Sequence, residues 1–336
     1  HLYPICIVDW HTKRSFLKTV FKKLYKNSGR EKGTLRFFRE KLNRRNVTVD
    51  VKHYEDCEQL FYSVGKCFAV EALLEFFQMV DTKHKPTANG PHGVDAVKED
   101  YQKTYIGNVI DKFLDEFVFL GDDEVTDGIW CYGVNLIKCF LILADFKDAV
   151  STGNGDHLLI LRKELLIHFF WTPGFNDFAI EMLVNILQCE VLLSETEAKR
   201  CKWAATVNWK GGSGKNIEID LFQEDRNCEM KKLIKSMGAN KTEKAITRGS
   251  KASGAVSKIV EAYQHQVQIH LSQQPTPISR QAMPKRLLAQ TCETLDLLKK
   301  KKAEHLSLSY KFHMIQHPRW TKRNLLNGFR NTKRTF

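Results

Sequence analysis

A chain of 336 residues, 43% hydrophobic and 27% charged, has the composition of a folded protein with enough core for one large domain or two. No apolar run is long enough to span a bilayer and no signal peptide is legible, so an intracellular protein without a membrane partner is expected, nuclear ahead of cytoplasmic. The net charge of +13 is uneven: Thr12 to Asn46 carries 13 Lys/Arg against 2 Asp/Glu, Lys285 to Phe336 carries 13 against 3, and the remainder is acidic. Two basic blocks around an acidic body suggest contact with a polyanion, against the plainer reading of a solvated helix face and a basic tail. Nine cysteines, at positions 6, 57, 67, 131, 139, 189, 201, 228 and 292, form no Cys-x-x-Cys pair. That argues against structural zinc and for reduced, buried thiols.

The chain starts at His1 and opens directly in a strand-like run, as a fragment of a longer protein would. Pro4 to Asp9 is a short apolar run ending on a carboxylate and predicts a buried strand with Asp9 at its edge. Residues 12 to 27 predict a helix with Phe16, Leu17, Val20, Phe21 and Leu24 inward, and residues 34 to 46 a second, basic helix. Helical periodicity continues at 55–80, 99–120, 126–150, 156–171 and 176–193, interrupted by Pro/Gly-rich or polar breaks. Ser194 to Glu197 reads as a capping box opening a helix over 195–207.

The stretch from Trp209 to Asn227 organises the rest. Gly211, Gly212 and Gly214 form a hinge, and Ile217, Ile219 and Leu221 alternate as a short half-buried strand would. Asp220 can cap the helix that follows, with Gly238 at its C-terminal end; Asn240 and Glu243 then cap a further short helix. Lys251 to Gly254 predicts a break before a last helix containing Val256, Ile259, Val260, Tyr263 and Val267. Gly-Ser-Gly-Lys at 212–215 is not a P-loop, because Trp209 and Asn216 stand where a glycine and a Ser or Thr are required. Residues 273–336 read as a proline-containing linker and a basic tail, with a helix expected at 285–303.

These residues carry a resemblance. Gly211-Gly-Ser-Gly-Lys-Asn-Ile217, Asp220-Leu221, Glu224, Asn227, Lys231 and the run from Gly238 to Arg248 resemble the C-terminal signature of an uncharacterised domain family, present in many copies in invertebrates and fungi. Asp9-Trp10-His11, Phe16-Leu17 and Lys32-Gly-Thr-Leu35 are similar to its upstream block. The family's copy number and layout look like those of transposase-derived sequence, and no activity comes with it. A carboxylate closing a strand and another on a helix more than two hundred residues later resemble the layout of an RNase H-like α/β core, in which such carboxylates hold Mg²⁺ for phosphodiester cleavage of DNA. Asp9 and Glu224 are then the catalytic candidates, and Asp9, His11, Asp220 and Glu224 the metal candidates. The chain departs from the family at Asp225, where a His usually follows the glutamate, and at Cys228, where an Arg commonly follows the asparagine.

Read without that resemblance, Asp220 and Asp9 are capping or loop residues. A second function class is non-catalytic nucleic-acid binding. The two helices around Gly238 have helix-turn-helix lengths, with Lys241, Lys244, Arg248 and Lys251 on the second, and Arg319, Lys322 and Arg323 in the tail are further phosphate-binding candidates. A helical protein-interaction module is the third. The expected fold is mainly α with a small β cluster bringing Pro4–Asp9 near Ile217–Leu221. In its finer form, core halves at 1–50 and 205–272 flank a helical insertion at 51–204.

Overall fold

The apolar stripe of the first basic segment sets where the chain begins to pack. Phe16, Leu17, Val20, Phe21 and Leu24 are all buried on helix α1 (Asp9–Leu24), as their spacing predicts. The computed structural model describes residues 4, 6–26, 29, 31–91, 99–118 and 128–266. The predicted linker and tail helix lie outside the described residues, together with Val267, Arg319, Lys322 and Arg323.

Thr34 caps α2 (Leu35–Lys41) by accepting the Phe37 N–H at 3.2 Å. After a connection over residues 42–53 comes α3 (Tyr54–Phe76), with Phe61, Val64 and Phe68 buried. Next are α4 (Glu99–Phe113), ending in a π-turn at Leu114–Val118, and α5 (Gly128–Thr152). Asn154 caps α6 (Gly155–Phe170) by accepting the His157 N–H. Helix α7 (Asn176–Leu187) runs into a second π-turn at Gln188–Leu192. The capping box forms at α8 (Glu195–Trp203): Ser194 Oγ accepts the Glu197 N–H, and the Glu197 carboxylate accepts from Ser194. Two residue pairs, Thr206–Glu218 and Val207–Ile217, make the antiparallel ribbon of β1 (Thr206–Val207) and β2 (Ile217–Glu218). The glycine hinge turns it, with φ of +72°, +93° and +70° at Gly211, Gly212 and Gly214. Then come α9 (Ile219–Ser236) and α10 (Glu243–Gln266).

Helix α3 crosses α5, α6 lies against α5 and α7, and α1 touches α3, α5, α6 and α9. The α3–α5 crossing is close enough that a Cβ at Gly65 would fall 2.5 Å from the Phe140 ring. One apolar cluster runs from Ile7 to Ala205, so residues 51–204 share a core with the N-terminal segment. Each fully buried Phe or Leu contributes roughly 1.5–3 kcal/mol to it.

Among the described residues the structure is mainly helical, 71% helix with one two-stranded sheet, and no RNase H-like sheet is present. Three expectations need correction. The described part of the opening run is irregular and Asp9 already belongs to α1, because no strand among the described residues lies alongside it and Ile7 packs into the helical core. The second strand stops at Glu218, and Glu218 rather than Asp220 is the N-cap of α9, without a side-chain cap. Finally, α10 runs unbroken through Lys251–Gly254, where good helix formers outweigh the roughly 1 kcal/mol cost of a helical glycine.

Candidate functional site

The N-terminus of α1 lacks its own cap, since Val8 in the capping position has no side-chain acceptor. A carboxylate from the far end of the sequence supplies one. Asp220 Oδ1 accepts the Trp10 N–H at 3.2 Å, and Oδ2 accepts the His11 N–H at 3.0 Å. His11 Nδ1 lies 2.9 Å from the same Oδ2. One turn along, Lys13 forms a buried ion pair with Glu218. Two residues of the ribbon-to-helix junction thus hold the start of α1 across more than two hundred positions.

Asp9 faces the opposite way, into the core, and is 0% exposed. Arg162 of α6 grips it bidentately: Nε donates to Oδ1 at 3.1 Å and Nη2 to Oδ2 at 2.7 Å. The remaining arm, Nη1, donates to Asn185 Oδ1 at 3.1 Å. Burial pushes the Asp9 carboxyl above its ordinary range, and Arg162 pulls it back only in part. Burial works against the charge on Arg162, but the Asp9 carboxylate more than offsets it and holds the guanidinium above its ordinary pKa. Both Asp9 oxygens and all three guanidinium nitrogens of Arg162 are thus engaged in hydrogen bonds inside the core.

This geometry does not fit Mg²⁺. Both Asp9 oxygens belong to Arg162, both Asp220 oxygens belong to the α1 N-terminus, and Glu224 is exposed farther along α9. Among the described residues no group of three or more His, Cys, Asp or Glu side chains could hold a metal ion. The structure brings Asp9, His11 and Asp220 to one place, as the sequence led us to expect, but as a structural joint. It does not add Glu224 to them as a ligand.

Beside the joint lies a cleft of about 1190 Å³ between α1 and the connection from α2 to α3. Its lining includes Lys13, Arg14, Arg44, Arg45 and Lys52, opposed by Glu55, Asp56 and Glu58. Two of the acids are engaged: Asp56 accepts from Asn46 at 3.0 Å, and Glu58 accepts from Tyr54 at 2.7 Å and Lys147 at 3.2 Å. Burial and the Glu58 charge push the Tyr54 phenol up, which keeps it a donor. Trp10 and Tyr54 meet edge to face at 5.8 Å, and the Arg14 guanidinium carbon sits 5.8 Å from the Trp10 ring centre. Arg14 Nε is buried with no hydrogen-bond partner among the described residues. The connection that forms the far wall also holds two non-glycine residues in the left-handed region, Asn43 at φ +52° and Val51 at φ +51°. Strain of this kind costs about 1–3 kcal/mol per residue and is concentrated at functional sites.

Lys241 in the turn, and Lys244, Arg248 and Lys251 on α10, are exposed. Their helix is 24 residues long, however, not the short second helix of a helix-turn-helix. Arg162 escaped the sequence reading, although a lone arginine within Leu158-Leu-Ile-Leu-Arg-Lys-Glu-Leu-Leu166 signals a carboxylate partner in the core. Trp10, Tyr54, Arg44 and Arg45 were missed as a group because no periodicity links them; only the basic block from Thr12 to Asn46 pointed to that region.

No helix among the described residues is long and apolar enough to cross a membrane. No curated protein and no solved structure shows significant similarity to the chain. A family model described as "Family of unknown function (DUF6589)" matches residues 4–274, most of the sequence, and the chain belongs to that family.

Proposed function

We propose that this protein binds nucleic acid without cutting it, drawing a single strand into the cleft beside α1. The observation that carries this reading is the pairing of Trp10 with Arg14, whose buried Nε has no acceptor among the described residues, in a cleft also lined by Arg44, Arg45 and Lys52. Aromatic faces stack on bases whatever their sequence, and arginines track the phosphates. Descent from a transposase-related protein that kept its hold on DNA and lost cleavage accords with this reading.

The test compares three sets of substitutions for binding of a labelled single-stranded oligonucleotide. Arg14→Ala/Arg44→Ala/Arg45→Ala is expected to weaken binding about 10- to 100-fold, at roughly 1 kcal/mol or less per phosphate contact. Alanine at Lys241, Lys244, Arg248 and Lys251, or at Arg319, Lys322 and Arg323, is expected to change it several-fold at most. Equal loss from the α10 or tail set would move the interface away from the cleft. Metal-dependent cleavage by the unsubstituted protein would overturn the non-catalytic part.

A helical interaction module is the second reading. It draws on an apolar stripe left exposed along α7 and its π-turn, formed by Ile180, Leu183, Leu187 and Val191. Absence of salt-sensitive oligonucleotide binding would favour it.

A further inference from the structure

Three thiols converge beside Arg162, none of them used by the cleft. Cys6 Sγ lies 3.4 Å from Cys201 Sγ, across 195 positions of sequence. Asn185, which receives one arm of Arg162, turns its Nδ2 toward Cys201 Sγ at 3.8 Å. Cys189 and Cys201 sit with Leu159 in a small buried cluster, while Cys6 is exposed. The arrangement is an exposed thiol against a buried one, with a second buried thiol behind it.

We infer that Cys6 and Cys201 are a redox modification site, joined as a reversible disulfide by a peroxide-class oxidant. The Cys6 thiolate attacks hydrogen peroxide, giving a sulfenic acid and releasing water after proton transfer. The Cys201 sulfur then displaces the sulfenic hydroxyl, which leaves as a second water. Two thiols and one peroxide yield one disulfide and two waters; the sulfurs lose two electrons and the peroxide gains them.

The sulfurs must close to about 2.0 Å, and Cys6 lies in irregular backbone, outside any helix or strand. Partial desolvation, then the neighbouring Cys201 thiol, push the Cys6 thiol up to about 11, so attack is slow at neutral pH and the bond accumulates under sustained oxidation rather than in a brief pulse. Once formed, it ties the segment leading into α1 to α8 and constrains the unfolded chain through a long loop.

The full chain, oxidised with hydrogen peroxide, alkylated and digested, is expected to yield a Cys6–Cys201 linked peptide pair that dithiothreitol reverses. Its thermal midpoint is expected to rise by about 5 °C. Cys6→Ser should remove both the link and the shift while leaving the circular dichroism spectrum unchanged, and Cys189→Ala should retain both. The assignment is overturned by a Cys189–Cys201 link in its place. It is equally overturned if the exposed Cys228 is consumed while Cys6 stays reduced.

Discussion

The joint and the cleft share α1 but treat charge in opposite ways. In the joint every charge is answered from within: Asp9 by Arg162, Lys13 by Glu218, and the α1 N-terminus by Asp220. In the cleft, Arg14 keeps a buried donor without an acceptor among the described residues and Lys52 is exposed, while Asp56 and Glu58 are already bound by neighbours. A saturated polar cluster fixes structure, whereas an unsaturated one beside open volume leaves room for a ligand. Asp9 and Asp220, which drew attention in the sequence, thus belong to architecture, and the proposed function falls to the cations next to them.

The comparison can be broken most forcefully at Arg162. Arg162→Met leaves Asp9 buried without its partner and is expected to cost about 3–5 kcal/mol in chemical denaturation. Adding Asp9→Leu should recover much of that loss. A cost below 1 kcal/mol for the single change would mean that the joint does not hold α1. Glu164, two residues along the same helix, sharpens the point because its charged neighbour is Asp145 rather than a cation. Burial first, then Asp145, pushes it to about 7 from 4.5. Its folded value lies above the unfolded one, so its contribution to stability is complete below pH 4.5 and is lost as pH rises through 7. The loss should approach roughly 3 kcal/mol, and Glu164→Gln should flatten that part of the stability–pH curve.

Cleft substitutions should separate function from fold. Arg14→Ala/Arg44→Ala/Arg45→Ala lowers affinity by one to two orders of magnitude, about 1.4–2.8 kcal/mol, while the thermal midpoint moves by no more than about 2 °C. The smallest effect is expected at Asp220→Ala, which removes a cap and costs about 1–2 kcal/mol. A midpoint unchanged by it would show that α1 starts without help from α9.

Much of the helical layout was legible because it follows local rules. The α1 stripe from Phe16 to Leu24, the Ser194–Glu197 capping box and the glycine-turned ribbon all rest on residues within a few positions of one another. The meeting of the Asp9 region with Asp220 was also foreseen, but as neighbouring strand and helix carboxylates. A side chain that caps a helix two hundred residues away looks, in sequence, like one that caps its own. Arg162 was hidden for a related reason: helical spacing says which face a residue takes, not which distant carboxylate waits there. The cleft was least legible, since irregular connections carry no period and Val51 gives no sequence sign of its left-handed backbone.

The central claim is that the cations beside α1, and not the carboxylates, carry the activity. The most direct test is the salt dependence of single-stranded oligonucleotide binding by the unsubstituted protein and by Arg14→Ala/Arg44→Ala/Arg45→Ala. The logarithmic slope should fall by about 2 units, at ~0.7 per lost phosphate contact. An identical slope and affinity for the two proteins would contradict it.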